Sequence, residues 1–378
     1  MKFATKAIHE FQEPDERTGS VTFPVYLTST YKQDAVGKPR GGYEYSRTGN
    51  PSRAFLEGTI ASLENASYGL CFSSGSAATV AVLNMLEPGD EVLTTADIYG
   101  GTYRLFTRVY ARYGIKFRFL ETSDAGEILN NISPHTRMMW IESPTNPLLN
   151  IIDIKQLALT ARAGVFLVVD NTFASPFFQN PLDLGAHVVV HSSTKYLGGH
   201  SDIIGGALVT SDPELYKSAK FYQNAAGATP SPFDCFLIQR GIKTLEVRML
   251  RHQSNAFEIA RHLKSHPRVA RVFFPGLPEH PHHDIALRQM RGQSGMVTFT
   301  IAGGRSEVDR FFASLRVFTL AESLGGVESL ACYPYTMTHG TVPDEEKRRI
   351  GVTENLIRLS VGIEAVEDLI ADLDQALH

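Results

Sequence analysis

No apolar run in the 378 residues approaches the length needed to cross a bilayer, and the opening stretch, MKFATKAIHE, lacks the apolar core of a secretory signal. Both absences point to a cytoplasmic chain. Cysteine is scarce. Cys71, Cys235 and Cys332 are scattered without metal or redox spacing, and an odd, sparse set fits a reducing compartment better than a disulfide framework. Charge of one sign is not in excess: a formal net charge of −4 gives no electrostatic reason to expect nucleic acid or an anionic membrane as partner. Internal repeats and low-complexity segments are absent. The histidines of PGLPEHPHHD (His280, His282 and His283) lack a second cluster to complete a ligand set, so a solvated, proline-broken loop is expected there and no metal site. What remains is 43% hydrophobic and 20% charged, the balance of a globular protein, and the length allows one large and one smaller domain.

The most informative stretch present is AHVVVHSSTKYLGG, from Ala186 to Gly199. Its apolar run Val188–Val190 suits a buried strand of a parallel sheet, and Lys195 falls just past the strand's carboxyl end, where open α/β sheets hold ligands. Lys195 reads either as a surface lysine in a turn or as an amine forming a Schiff base with an aldehyde cofactor, with Ser192 and Thr194 on that cofactor's phosphate. The strand 165–169 ends similarly in Asp170, Asn171 and Thr172, so Asp170 and Lys195 should open onto one crevice.

Upstream, a short strand at 70–72 passes through Ser73, Ser74, Gly75 and Ser76 into an apolar helix. This arrangement either cradles an anion on backbone N–H groups or simply packs closely. It matches neither GxGxxG nor GxxxxGK, which removes the dinucleotide and P-loop readings. Tyr99 follows the strand at 90–95, placed to stack on a flat ring or to serve as an ordinary loop tyrosine. Further strands are expected at 115–120 and 138–142, and a helix between Asp153 and Gly164. Residues 1 to about 50 read as an extended arm with little core of its own, resting on its own body or on a neighbouring subunit. On an extended segment Tyr45 and Arg47 would point the same way, either solvent-exposed or, for the arginine, suited to gripping phosphate. After about Gly241 a long amphipathic helix, 245–264, connects to strands at 296–301 and 356–362 and helices near 306–315 and 366–377, a smaller α+β unit.

Taken in order, SRTGNP, SSGSAA, DIYGGTYRLF, ESPTNP, VVDNTFASP, HSSTKYLGGHSD, QRGIKTL, AESLGGVESL and IRLSVGIE resemble the transsulfuration (Cys/Met metabolism) group of pyridoxal-phosphate enzymes over essentially the whole chain. Each motif is weak alone, but the ordered set is specific. Within the group the chain is similar to cystathionine γ-lyases, γ-synthases and bacterial β-lyases.

The resemblance implies a fold-type I PLP-dependent transferase fold: a mostly parallel seven-stranded sheet flanked by helices, with a smaller C-terminal α+β domain. It implies an N-terminal arm (1–50) on a neighbouring subunit, a large PLP-binding domain (51–243), a C-terminal domain (244–378) and a homotetramer of active dimers. Lys195 would hold the pyridoxal 5'-phosphate and shuttle protons at the substrate's Cα, Asp170 would pair with the pyridinium nitrogen, and Tyr99 would stack on the ring. Gly75 and Ser76 N–H groups, with Ser192 and Thr194 hydroxyls, would hold the phosphate. Thr172 would lie beside them, and Tyr45 and Arg47 would reach in from the neighbour. Arg358, with Asn146 and the Ser323 main chain, would fix the substrate's α-carboxylate, with Glu322 and Tyr45 completing the substrate side. The implied activity is a carbon–sulfur lyase cleaving cystathionine, a small amino acid, by γ-elimination. The alternatives are a γ-synthase or O-acetylhomoserine sulfhydrylase, and a β-lyase; a cofactor-binding protein without turnover would not need the whole residue set. The chain departs from the commonest pattern at Tyr333 and Tyr335 in CYPYTMTHG, where one of the two is expected to alter the substrate pocket or the nearby packing.

Overall fold

The computed structural model describes residues 1–160 and 164–378. Fourteen strands occur among them. A small hairpin in the arm is formed by β1 (Gln33–Ala35) and β2 (Lys38–Pro39). The next seven are β3 (Tyr68–Phe72), β4 (Glu91–Thr95), β5 (Lys116–Leu120), β6 (Thr136–Glu142), β7 (Phe166–Asp170), β8 (Val188–His191) and β9 (Gly206–Thr210). They form one sheet in the order β3-β9-β8-β7-β6-β4-β5, parallel except for β9, which runs antiparallel to both neighbours.

β6, β7 and β8 are apolar almost throughout because both sheet faces are covered, so alternation is lost and near-continuous apolar runs remain. The chain steps outward from β4 to β5, then returns to the other side of β4 with β6. That reversal opens a crevice at the carboxyl ends of the central strands. The helix Pro51–Leu63 begins where Asn50 accepts the Ser52 N–H at 2.9 Å and proline occupies the first turn.

Beyond the helix Leu245–Ser265 lie β10 (Val269–Phe273), β11 (Met296–Ile301), β12 (Thr319–Leu320), β13 (Leu330–Cys332) and β14 (Leu356–Ser360), ordered β10-β11-β14-β13-β12. The apolar face of the helix Val366–Leu377 packs with this sheet in one core that includes Leu356, Leu359, Leu369 and Leu373. No helix of the described residues is long and apolar enough to cross a membrane.

Three expectations need correction. The arm is not extended from its start: Phe3–His9 is helical, and with only Ala7 buried this short helix gives no readable periodicity. Tyr45 and Arg47 do not alternate along a strand. The Thr48 and Gly49 N–H groups both bond to the Tyr45 carbonyl at 3.0 Å, closing a turn that brings the Arg47 guanidinium over the Tyr45 ring. The histidines at 280–283 are not a solvated loop. His280 is buried, His282 bonds to Ser123 and to the Ile151 N–H, and His283 opens a helix; no metal-binding cluster occurs among the described residues. The helix expected up to Gly164 is described as Ile154–Thr160, and the expectation for 161–163 lies outside the described residues. Tyr333 and Tyr335 both enter the small-unit core, the first donating its hydroxyl to the Glu354 carbonyl at 2.9 Å. They affect packing and do not line the cavity that Lys195 and Asp170 share.

Candidate functional site

β6, β7 and β8 end at one cavity of about 300 Å³, and Tyr99 reaches it from the turn after β4. Lys195, Asp170, Tyr99, Gly75, Ser76, Thr172, Ser192, Thr194, Asn146, Glu322, Ser323 and Arg358 all line it. Tyr45 and Arg47 do not; Arg47 Nε lies 3.4 Å from Asn224 Oδ1 on the chain's outer surface.

The Lys195 ammonium donates to Ser323 Oγ at 2.7 Å. Burial first, then the Arg358 charge, lower its pKa from 10.5 to about 8, against a smaller opposing pull from Glu322. Ser323 occupies the left-handed region at φ 100°, which is costly for a side chain with a Cβ. That conformation lets one residue face two ways, its hydroxyl to Lys195 and its carbonyl to Arg358 Nη2 at 3.0 Å. Arg358 is held on β14 between β11 and β13, almost fully buried, with Nη1 donating to Asn146 Oδ1 at 2.8 Å. Both guanidinium bonds go to neutral oxygens, and Nε finds no partner among the described residues. A buried arginine so placed suits an anionic group entering the cavity.

Asp170 closes β7, its Oδ1 accepting the Thr172 N–H at 2.9 Å, while Thr172 Oγ1 accepts the Ser192 N–H at 2.9 Å. Its register partner on β6 is Glu142, which accepts the Tyr99 N–H on both oxygens at 2.9 and 3.1 Å. Burial raises the pKa of both carboxyls, and for Glu142 the Asp170 charge adds to the rise. Behind them His191 Nε2 meets Glu64 Oε1 at 2.5 Å. Two buried acids side by side suit a cationic group between them and the cavity.

At the other end, the helix Gly75–Leu83 begins with Ser74 capping Ala77 N–H through its side chain and accepting Ala78 N–H through its carbonyl. The Gly75 and Ser76 N–H groups therefore stand at an open helix start. A Cβ on Gly75 would lie 2.9 Å from Ser192 Cβ, so only glycine lets the two segments approach this closely. The Thr194 hydroxyl is partly engaged, with the Gly205 carbonyl at 3.2 Å and its N–H at 3.0 Å. Tyr99 is partly exposed at the mouth, and burial of its phenol raises its pKa.

An anion cradle, a half-buried amine and a half-buried acid thus lie along one cavity, and these residues fit pyridoxal phosphate: Gly75 and Ser76 could take its phosphate, Lys195 its aldehyde and Asp170 its ring nitrogen. The sequence reading missed Glu142, His191 and Glu64. Glu142 carries the signal that exposed Asp170, a carboxylate at the carboxyl end of an apolar strand.

The family model described as Cys/Met metabolism PLP-dependent enzyme matches residues 4–378. The chain is 52% identical over 377 residues to a cystathionine gamma-lyase of Dictyostelium discoideum, covering 100% of this chain and 97% of the relative. It is 51% identical over 376 residues to a cystathionine gamma-synthase of Mycobacterium bovis, covering 99% and 96%. A crystal structure of metB from Corynebacterium glutamicum superposes with a TM-score of 0.96 at 46% identity, covering 100% of this chain and 98% of the other.

Proposed function

The chain belongs to the Cys/Met metabolism PLP-dependent enzymes, and from that premise we propose that it cleaves cystathionine by γ-elimination, with water, to cysteine, 2-oxobutanoate and ammonia. The observation that carries this is the Lys195 amine, buried in the cavity between Asp170 and Arg358 with its pKa lowered to about 8. An amine so placed exists partly as free base near neutral pH and is matched to moving protons there.

Pyridoxal phosphate, when bound, supplies the electron sink for the pair left at the substrate's Cα. Gly75 and Ser76 N–H groups and the Ser192 and Thr194 hydroxyls would hold its phosphate, with Thr172 alongside and Asp170 at its ring nitrogen. Arg358 receives the substrate's α-carboxylate in a bidentate fork, steadied by Asn146 and the Ser323 carbonyl. Lys195 Nζ removes the Cα proton and then a Cβ proton, the two losses needed before a γ-thiolate can depart. Tyr99 keeps its phenolic proton through neutral pH because burial raises its pKa, so it acts as the donor to the departing sulfur. Glu322 and Ser323 line the same cavity and would complete its substrate side.

In this reading the arm (1–50) reaches a neighbouring copy, the large unit (51–243) holds the cofactor, and the smaller unit (244–378) contributes Arg358. Tyr45 and Arg47 of that copy complete the phosphate end, in a homotetramer of active dimers. The cytoplasm suits three cysteines that are all buried and free. The second reading is γ-replacement by a synthase or sulfhydrylase, favoured by a synthase relative at 51% identity, and a β-lyase would need only the Cα proton. Purified protein given cystathionine should release 2-oxobutanoate. Pyruvate alone would make it a β-lyase, and product formed only from O-acetylhomoserine plus an added thiol would make it a synthase or sulfhydrylase.

A further inference from the structure

The motif CYPYTMTHG carries a histidine that has no part in the chemistry above. His339 is fully buried, and its Nε2 lies 3.1 Å from two carbonyl oxygens, those of Ile98 and Asn146. Carbonyl oxygens only accept, so Nε2 carries the proton and shares it between them. Nδ1 is then free to accept the Thr338 hydroxyl at 2.9 Å. Burial first, then the Arg358 charge, push the imidazole down to about 4, consistent with a neutral ring in that single tautomer.

The two carbonyls belong to different loops of the site. Ile98 immediately precedes Tyr99 in the turn after β4. Asn146 lies in the loop after β6 and gives its side chain to Arg358. The histidine's own segment presses on the first of these loops, since a Cβ at Gly100 would stand 2.1 Å from the Thr338 carbonyl oxygen. Farther along, Glu346 accepts the Tyr103 hydroxyl at 2.9 Å and Arg349 pairs with Glu121 at 2.5 Å. The stretch 333–349 is thereby fastened to the large sheet's loops at three places, and His339 is the buried one.

We propose that His339 is a positioning residue that ties the Tyr99 turn to the Asn146 loop and, through Asn146, aims Arg358 at the α-carboxylate of the amino-acid substrate. The proposal rests on the reading of Arg358 as the carboxylate clamp. Without the shared N–H, two buried carbonyls lose their donor, the Asn146 loop moves, and one of the two bonds that orient Arg358 goes with it. A side chain that merely filled space would affect stability and leave carboxylate recognition alone.

The test is calorimetric binding of glycine, which carries the α-amino and α-carboxylate groups but nothing to eliminate, to cofactor-loaded protein, alongside steady-state kinetics with cystathionine. His339→Phe, which keeps the bulk and removes the N–H, should weaken glycine binding and raise KM together by about tenfold. Its kcat should fall by less than about threefold, the signature of a lost ground-state contact. His339→Gln, which restores an N–H donor, should recover most of both losses. A folded His339→Phe protein with unchanged glycine affinity and KM would overturn the proposal. If that variant does not fold, Gly100→Ala takes its place: its Cβ pushes the Thr338 carbonyl off the Tyr99 turn. A matching loss of glycine affinity supports the tie, and none overturns it. Arg358→Gln separates the two levels. Undiminished glycine binding there would sink the clamp and this proposal together, whereas a loss there with none in His339→Phe would sink the tie alone.

Discussion

The Lys195 amine donates to Ser323 and stands near the guanidinium of Arg358, and both burial and that positive charge disfavour its protonation. Its folded-state pKa of about 8 lies below the ordinary 10.5, so the unfolded chain binds more protons between those values. Apoprotein stability should therefore rise as pH climbs from about 8 toward 10.5, the cost of the buried charge being fully present below about 8. The reactivity of the amine follows the same curve. Borohydride trapping of added pyridoxal phosphate on the apoprotein should increase with pH with a midpoint near 8. Arg358→Gln should move that midpoint upward, and a midpoint near the ordinary value in the unaltered protein would contradict the buried environment. Lys195→Ala should cost about 10³-fold or more in turnover. Its apoprotein should melt at the same temperature or higher, because a buried charge without a carboxylate partner has been removed. Asp170 is a parallel case. Asp170→Asn should leave the phosphate end able to bind cofactor yet cut turnover by at least about 10²-fold, and unchanged turnover would refute its pairing with the ring nitrogen.

At the scale of elements, the site is assembled from strand ends and one helix start. The helix Gly75–Leu83 presents its first N–H groups to the cavity only because Gly75 allows Ser192 to lie against it. Gly75→Ala should weaken cofactor binding by about tenfold or more, read by fluorescence titration of the apoprotein, with its far-UV circular dichroism unchanged. Much of this scale was legible in the residues. Val188–Val190, 165–169 and 138–142 announced themselves as buried parallel strands by apolar runs stopped by polar residues, and Asp170 and Lys195 were found by standing at their ends. Two kinds of element were not legible. β9 is buried along its whole length and shows no alternation to mark it, and nothing local says that it runs antiparallel. The turn at Tyr45–Gly49 looks extended in sequence because its closure depends on backbone bonds to one carbonyl. Glu142 and the pair Glu64–His191 were missed because a buried acid is recognised by what lies beside it, and Glu64 meets His191 from 127 positions away.

For the whole molecule, the arm is the part whose role, in the reading proposed above, depends on a second copy. Val21 is 81% exposed, Leu27 is 72% exposed and Val36 is fully exposed, an apolar surface a lone chain would leave in water. The same arm carries Tyr45 and Arg47, stacked together and outside the cavity of their own chain. The cavity meanwhile has helix N–H groups and hydroxyls for a phosphate but no cationic side chain at that end among the described residues; its lysine and arginine sit at the substrate side. An arm that lends its arginine to a neighbour accounts for both facts, and it predicts complementation. Arg47→Ala and Lys195→Ala should each be impaired alone, the second almost completely. Unfolded together and refolded as a mixture, they form hybrid pairs in which one site has lost both residues and the other has an intact lysine with an intact arginine from across the interface. Activity should therefore rise above the mean of the two separate preparations, in proportion to the hybrid fraction measured by native mass spectrometry. A mixture that contains hybrids yet never exceeds that mean would place Arg47 outside the neighbour's site.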